Sequence, residues 1–136
     1  MSSRRSVIRL LSALMCAWAP PALATGTISC LSVGHPTPAT IEITVGQLVA
    51  LVPVSLTVTI GEQSWSTLSE AATIPIEILQ AFDDGQSLRI DATDPNLLEV
   101  LFSIRLLRAA ESRDLAHAGI LRFVGSGAYS LVCEGP

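Results

Sequence analysis

The stretch that most constrains this chain is 88–107, LRIDATDPNLLEVLFSIRLL. Leu98, Val100, Phe102, Ile104 and Leu106 recur at two-residue spacing, with Glu99, Ser103 and Arg105 falling between them. In a strand, alternate side chains point to opposite faces, so this spacing sets five large apolar groups on one side of a sheet. Wound as a helix, Glu99, Ser103, Arg105 and Arg108 would scatter around the cylinder, which argues for the strand. Upstream, Leu88, Ile90 and Ala92 alternate with Arg89, Asp91 and Thr93. Asp94-Pro95-Asn96 joins the two runs as a turn, because proline presets the first central φ and asparagine tolerates the second. The segment is predicted to be a β-hairpin with one buried and one wet face.

Other segments follow the same period. Residues 25–33 (TGTISCLSV) read as a first strand, with Ile28, Cys30 and Ser32 on one side. Gly34-His35-Pro36-Thr37-Pro38 interrupts it, and Ile41, Ile43 and Val45 alternate with Glu42 and Thr44 in a second. From Ile43 to Gly61 there is no charge, yet Gly46, Pro53 and the Ser/Thr alternation of VSLTVTI suit half-buried strands better than a bilayer helix. Pro53 cannot donate to a ladder and is expected to separate two short strands, LVALV and VSLTVTI, with QSWSTL returning after Gly61-Glu62. PIEILQAF (75–82) is ambiguous. Pro75 and Gly85 bracket a possible short helix, and Leu79-Gln80-Ala81 favour it slightly, while Ile74, Ile76 and Ile78 also fit a strand face. Residues 108–119 read as a polar loop with at most one helical turn. Two last strands, Ile120 to Val124 and Ala128 to Cys133, flank a tight Gly125-Ser126-Gly127 turn. The fold class expected is all-β: a small antiparallel β-sandwich or partly open barrel, with at most one short helix near residues 75–83.

The first 24 residues have the three parts of a bacterial secretory signal. Arg4, Arg5 and Arg9 form the basic region, Leu10 to Ala19 the apolar run, and Ala22-Leu23-Ala24 a small-x-small site after Pro20-Pro21. Ten apolar residues ending in two prolines are too few to span about 30 Å of hydrocarbon. Cleavage is expected between Ala24 and Thr25, leaving 25–136 as one exported domain, periplasmic or secreted. Ser3-Arg4-Arg5-Ser6-Val7-Ile8-Arg9 resembles the twin-arginine consensus, with Val and Ile where Phe and Leu are preferred, so twin-arginine and ordinary secretory routes both stay open. Met15 before Cys16 argues against lipid attachment.

The chain carries a net charge of −4. Loss of 1–24 would remove three arginines and no acid, taking it to −7 and leaving five Arg and no Lys. Nucleic acid and anionic membranes both need a basic footprint, so neither is an expected partner. Cys30 and Cys133 remain near the two ends of the domain, and in an oxidising compartment a lone pair is most simply one structural disulfide. A metal would need more ligands than two Cys and two distant His, and a redox pair would be local in sequence. No metal or cofactor is expected.

Little in the sequence carries chemistry. His35, among prolines, and His117, in the polar loop, are expected to be exposed. No G-x-S-x-G or S-x-x-K pattern supports a serine nucleophile, and a hairpin turn accounts for Gly125-Ser126-Gly127. Asp83, Asp84, Asp91 and Asp94 flank one strand, but its two ends are about 20–30 Å apart, too far to share an ion. Turn and cap chemistry is the simpler reading. Trp65 and Tyr129 are too few for a stacking platform.

Ser126-Gly127-Ala128-Tyr129 resembles the Ser-Gly loop of periplasmic c-type lysozyme inhibitors, small exported β proteins with a disulfide. The resemblance covers four residues, and Tyr129 stands one position short of that family's spacing. It implies an exposed loop entering an enzyme's active site, and an acidic chain suits a basic target. The function expected is a non-catalytic binding or accessory module with a protein partner. An enzyme inhibitor of the lysozyme-inhibitor type is the first alternative, and a small hydrolase using acids or His117 the second.

Overall fold

The computed structural model describes residues 25–47 and 50–135, and among them strands account for all regular structure. The ten strands are β1 (Thr25–Val33), β2 (Ala39–Gln47), β3 (Leu51–Ile60), β4 (Gln63–Ser66), β5 (Ile74–Pro75), β6 (Glu77–Asp83), β7 (Ser87–Thr93), β8 (Val100–Glu111), β9 (Asp114–Phe123) and β10 (Gly127–Glu134). The proposed signal segment, and Leu48 and Val49 of the LVALV run, lie outside the described residues.

One sheet contains all ten strands, in the order β5-β4-β3-β2-β1-β10-β9-β8-β7-β6. Almost every strand pairs antiparallel with its neighbour in sequence, and the first and last strands pair with each other. Of the two architectures expected, the chain is nearer the partly open barrel: the sheet is nearly closed, with no ladder between β6 and β3 among the described residues. The short β4 covers only Thr57–Ile60 of β3. The first half of β3 is left to face β6, and the N–H of Leu51 donates to the Asp83 carboxylate across that seam at 2.8 Å.

The alternation read from sequence builds the interior. Ile28, Ile41, Ile43, Val45, Leu56, Val58, Leu88, Ile90, Phe102, Ile104 and Leu121 are fully enclosed. Each such side chain contributes about 1.5–3 kcal/mol relative to exposure. Cys30 and Cys133 are directly opposed on β1 and β10 and bonded to each other, with Cα atoms 4.0 Å apart. The bond closes a loop of 103 residues, worth about 4–5 kcal/mol on the chain-entropy account. It is compatible with an oxidising compartment. Between β8 and β9, Gly119 faces Leu106, and a Cβ there would collide with the Arg105 carbonyl and the Leu106 side chain.

Residues 75–83, open between helix and strand in the sequence, are extended: Ile74–Pro75 pairs with β4 and Glu77–Asp83 with β7, so long-range pairing decides where local propensity is mixed. Four expectations need correction. Residues 108–119 are not a loop but the far ends of β8 and β9, joined at Ser112, a non-glycine residue at φ 57°. Pro53 does not divide two strands. It sits inside β3 at a bulge, opposite Val45, where the register with β2 shifts. That bulge turns Val54 outward and leaves Leu56 and Val58 inward. Another bulge, at Leu101, ends the strict spacing of the organising hairpin: Ala92 pairs with Phe102 but Thr93 with Val100. Leu101 rather than Val100 therefore packs on the core. Leu98 precedes β8 altogether and is 78% exposed.

Candidate functional site

An up-and-down ring sends alternate turns to opposite ends. Turns 34–38, 61–62, 94–99 and 124–126 gather at one end, and turns 84–86 and 112–113 at the other. Beneath the first end, Trp65, Phe102 and Phe123 form an aromatic plug, with ring centroids 4.8–5.2 Å apart. The rings fill the mouth of the barrel, so the loops above rest on a rigid base.

The turn 94–99 is tied together by hydrogen bonds to Asp94 and from Thr93. The Asp94 carboxylate accepts the N–H of Leu98 at 3.0 Å and of Glu99 at 3.4 Å, and its carbonyl accepts that of Leu97 at 3.0 Å. Thr93 Oγ1 donates to the Glu99 carbonyl at 2.5 Å. The N–H of Leu98, and then that of Glu99, hold the Asp94 carboxyl below the ordinary carboxylate range. The result is a locked backbone with Leu97 at φ 58°, a conformation that side-chain-bearing residues seldom adopt. It presents Leu97, 55% exposed, and Leu98 side by side to solvent. Pro95 borders an open hollow of about 590 Å³ shared with the loop from Thr67 to Thr73. Leu68, Ile74 and Val124 are further exposed apolar groups there.

His35 and the Ser-Gly turn belong to this same end. The His35 ring lies on Tyr129 at 4.4 Å, and its Nδ1 is engaged by the N–H of Thr37 at 3.1 Å. Ser126 is exposed in the turn, while Tyr129 points into the barrel and is buried. His117, expected in an exposed loop, is 5% exposed on β9, because Arg108 and His117 continue the inward face of the β8–β9 pair. Burial, and then the Arg108 charge, push its pKa down, which favours the neutral ring. Arg108 pairs with Asp83 inside the barrel. His117 Nε2 and Arg108 Nε have no hydrogen-bond partner among the described residues. His35 and His117 thus sit toward opposite ends of the molecule.

Asp84 and Asp94 lie in the turns at opposite ends of β7, as the strand reading required. Asp84 caps its own turn, accepting the N–H groups of Gln86 and Ser87 at 2.9 and 2.6 Å. Asp91 points outward and takes Ser103, Gln80 and Arg105. Among the described residues, no group of three or more His, Cys, Asp or Glu could hold a metal ion. Sequence reasoning missed the leucine tip because Leu98 matched the hairpin's period. The signal available was the Asp four residues before it, a side chain suited to capturing turn N–H groups.

No protein-family model matches the chain, no curated protein matches it, and no solved structure does.

Proposed function

We propose that the chain is a small exported, non-catalytic binding module that engages a protein partner through the leucine-tipped loop end of its barrel, in the periplasm or outside the cell. One observation carries this reading: Leu97 and Leu98 are held in solvent by a backbone locked onto Asp94. A preformed apolar tip loses little entropy on docking, and exposed large apolar groups on a rigid loop are a usual interaction device. The disulfide and the three-part leader of residues 1–24 support export.

A second reading makes the partner an enzyme. The exposed Ser126 turn belongs to the same end as the leucines, and a net charge of −7 after loss of the leader favours a basic target such as a lysozyme. Hydrolysis by this chain has less support, since His117 is enclosed and His35 stands against Tyr129.

Affinity capture from periplasmic extract tests the first reading, with the captured protein then purified and rebound. Leu98→Glu should abolish rebinding without lowering the melting temperature, whereas Arg113→Gln, at the opposite end, should leave it intact. Equal binding by both variants would remove the loop end from the proposal. Assay of c-type lysozyme turnover with and without the protein separates the second reading. Mass spectrometry of the exported protein should find Thr25 at its N-terminus.

A further inference from the structure

On the outer wall of the barrel, remote from the loop end's leucine tip, β6, β7 and β8 enclose a concavity of about 270 Å³ bounded by Gln80, Phe82, Arg89, Asp91 and Arg105. It exists because the register of β6 on β7 shifts between Ile78 and Gln80, which bends β6. Arg89 and Arg105 are directly opposed on β7 and β8, a like-charge pair that is unfavourable unless something balances it.

The acid in the concavity balances only one of them. Asp91 takes Arg105 Nη2 at 2.8 Å, and its oxygens are further used by Ser103 Oγ and Gln80 Nε2, each at 2.5 Å. Arg105 Nη1 is committed to the carbonyls of Ile90 and Ile104, yet its side chain is 45% exposed. Among the described residues, no carboxylate forms an ion pair with Arg89. Its guanidinium stands 5.9 Å from the centroid of the Phe82 ring, which is 57% exposed. Asp84 is the other acid whose carboxyl feels Arg89, and its oxygens are taken by the Gln86 and Ser87 N–H groups and by Ser87 Oγ.

Within the concavity itself two guanidiniums thus meet one carboxylate, beside a half-exposed phenyl ring with Arg89 over one face. We infer that this concavity binds a small aromatic acid. Its carboxylate lies between Arg89 and the exposed edge of Arg105, and its ring lies against Phe82. A guanidinium fork suits a carboxylate, and Gln80 and Asp91 fix the Arg105 edge in advance.

The test is an NMR titration of the ¹⁵N-labelled protein with sodium benzoate at low ionic strength. The signals of Phe82, Arg89 and Arg105 should shift saturably in the millimolar range. Benzyl alcohol, which has the ring without the charge, should leave them in place, and sodium chloride at equal concentration should not reproduce the shifts. Inorganic phosphate should bind at least about threefold more weakly than benzoate, for want of the ring contact. Arg89→Gln should weaken benzoate about tenfold at unchanged melting temperature, and Arg89→Lys, which keeps the charge but not the fork, by less. No shift up to about 50 mM benzoate, equal responses to benzyl alcohol or chloride, or wild-type affinity in both Arg89 variants would overturn the site. Phosphate binding as tightly as benzoate would overturn the aromatic part of it.

Discussion

Asp83 Oδ2 accepts the backbone N–H of Leu51 at 2.8 Å, and this contact ties together the two margins of the sheet where the barrel would otherwise gape. The other oxygen of the same carboxylate takes the Gly85 N–H at 3.1 Å and the Arg108 guanidinium. One side chain thus joins β3, the β6–β7 turn and β8. Asp83→Asn keeps the shape but leaves Arg108 enclosed without a counter-charge. It should cost about 3 kcal/mol in urea unfolding. Hydrogen exchange at Leu51 should also accelerate more than at Ile43. An unchanged unfolding midpoint would mean that the seam is held by other contacts.

Two titrations should be separable in a plot of stability against pH. Burial raises the Asp83 and Asp91 carboxyls, but hydrogen bonds from Leu51, Gly85 and Arg108 to Asp83, and from Ser103, Gln80 and Arg105 to Asp91, outweigh it and leave both below their ordinary value. A carboxyl depressed in the fold contributes stability that is present above its unfolded pKa, about 4, and lost as pH falls through the folded value. His117 acts earlier. Its pKa is held below the ordinary value in the fold, so the unfolded chain binds the proton first, and stability should fall as pH drops below about 6.5. His117→Gln should flatten the melting temperature between about pH 7.5 and pH 5.5 while sparing the decline below about pH 4. An unaltered slope above pH 5.5 would place that titration elsewhere.

Phe102 and Ser103 are sequence neighbours on opposite faces of β8, both buried but for different reasons. Phe102→Ala removes a ring from the aromatic plug and should cost about 3–5 kcal/mol. Ser103→Ala removes one of the donors to Asp91 and should cost about 1 kcal/mol, since Gln80 and Arg105 remain. Equal losses at the two positions would contradict the inward and outward assignment.

Gly119→Ala should destabilise by about 1–3 kcal/mol, because the new methyl group meets the Arg105 carbonyl and the Leu106 side chain. The neighbouring Ala118→Ser, on the outer face, should be neutral within about 0.5 kcal/mol. A neutral Gly119→Ala would show that β8 and β9 can separate locally at little cost.

Leu97→Gly should be neutral or stabilise the fold by up to about 1 kcal/mol, since glycine adopts a φ of 58° without strain. Chemical denaturation decides the matter. A loss above about 1 kcal/mol would mean that the Leu97 side chain supports the fold rather than waiting for a partner.

Much of the strand content was legible because a buried face must repeat every second residue. Ile41, Ile43 and Val45, or Leu88, Ile90 and Ala92, could be assigned to one side without any tertiary information. Turn chemistry was equally local: Asp94-Pro95-Asn96 and Gly125-Ser126 lie where proline, asparagine and glycine conformations demand a reversal. The reading stayed open or went wrong where a partner strand decided the outcome. Residues 75–83 have mixed propensity, and only pairing with β7 makes them extended. The bulges at Val54 and Leu101 shift which side chains face inward, and nothing in the local period announces them.

The candidate sites show the same division. Cys30 and Cys133 stood out by number and position, whereas their meeting depends on β1 and β10 pairing in the middle of the sheet. Alternation, turn residues and the cysteine pair, all short-range properties, were determined by the sequence itself: an all-β chain with one wet face per strand. Only the tertiary structure decided that the sheet closes at Leu51 and Asp83, that His117 and Arg108 turn inward, and that Arg89 and Arg105 stand opposed. These relations join residues far apart in the chain, and their energies exist only once the strands between them have found their register.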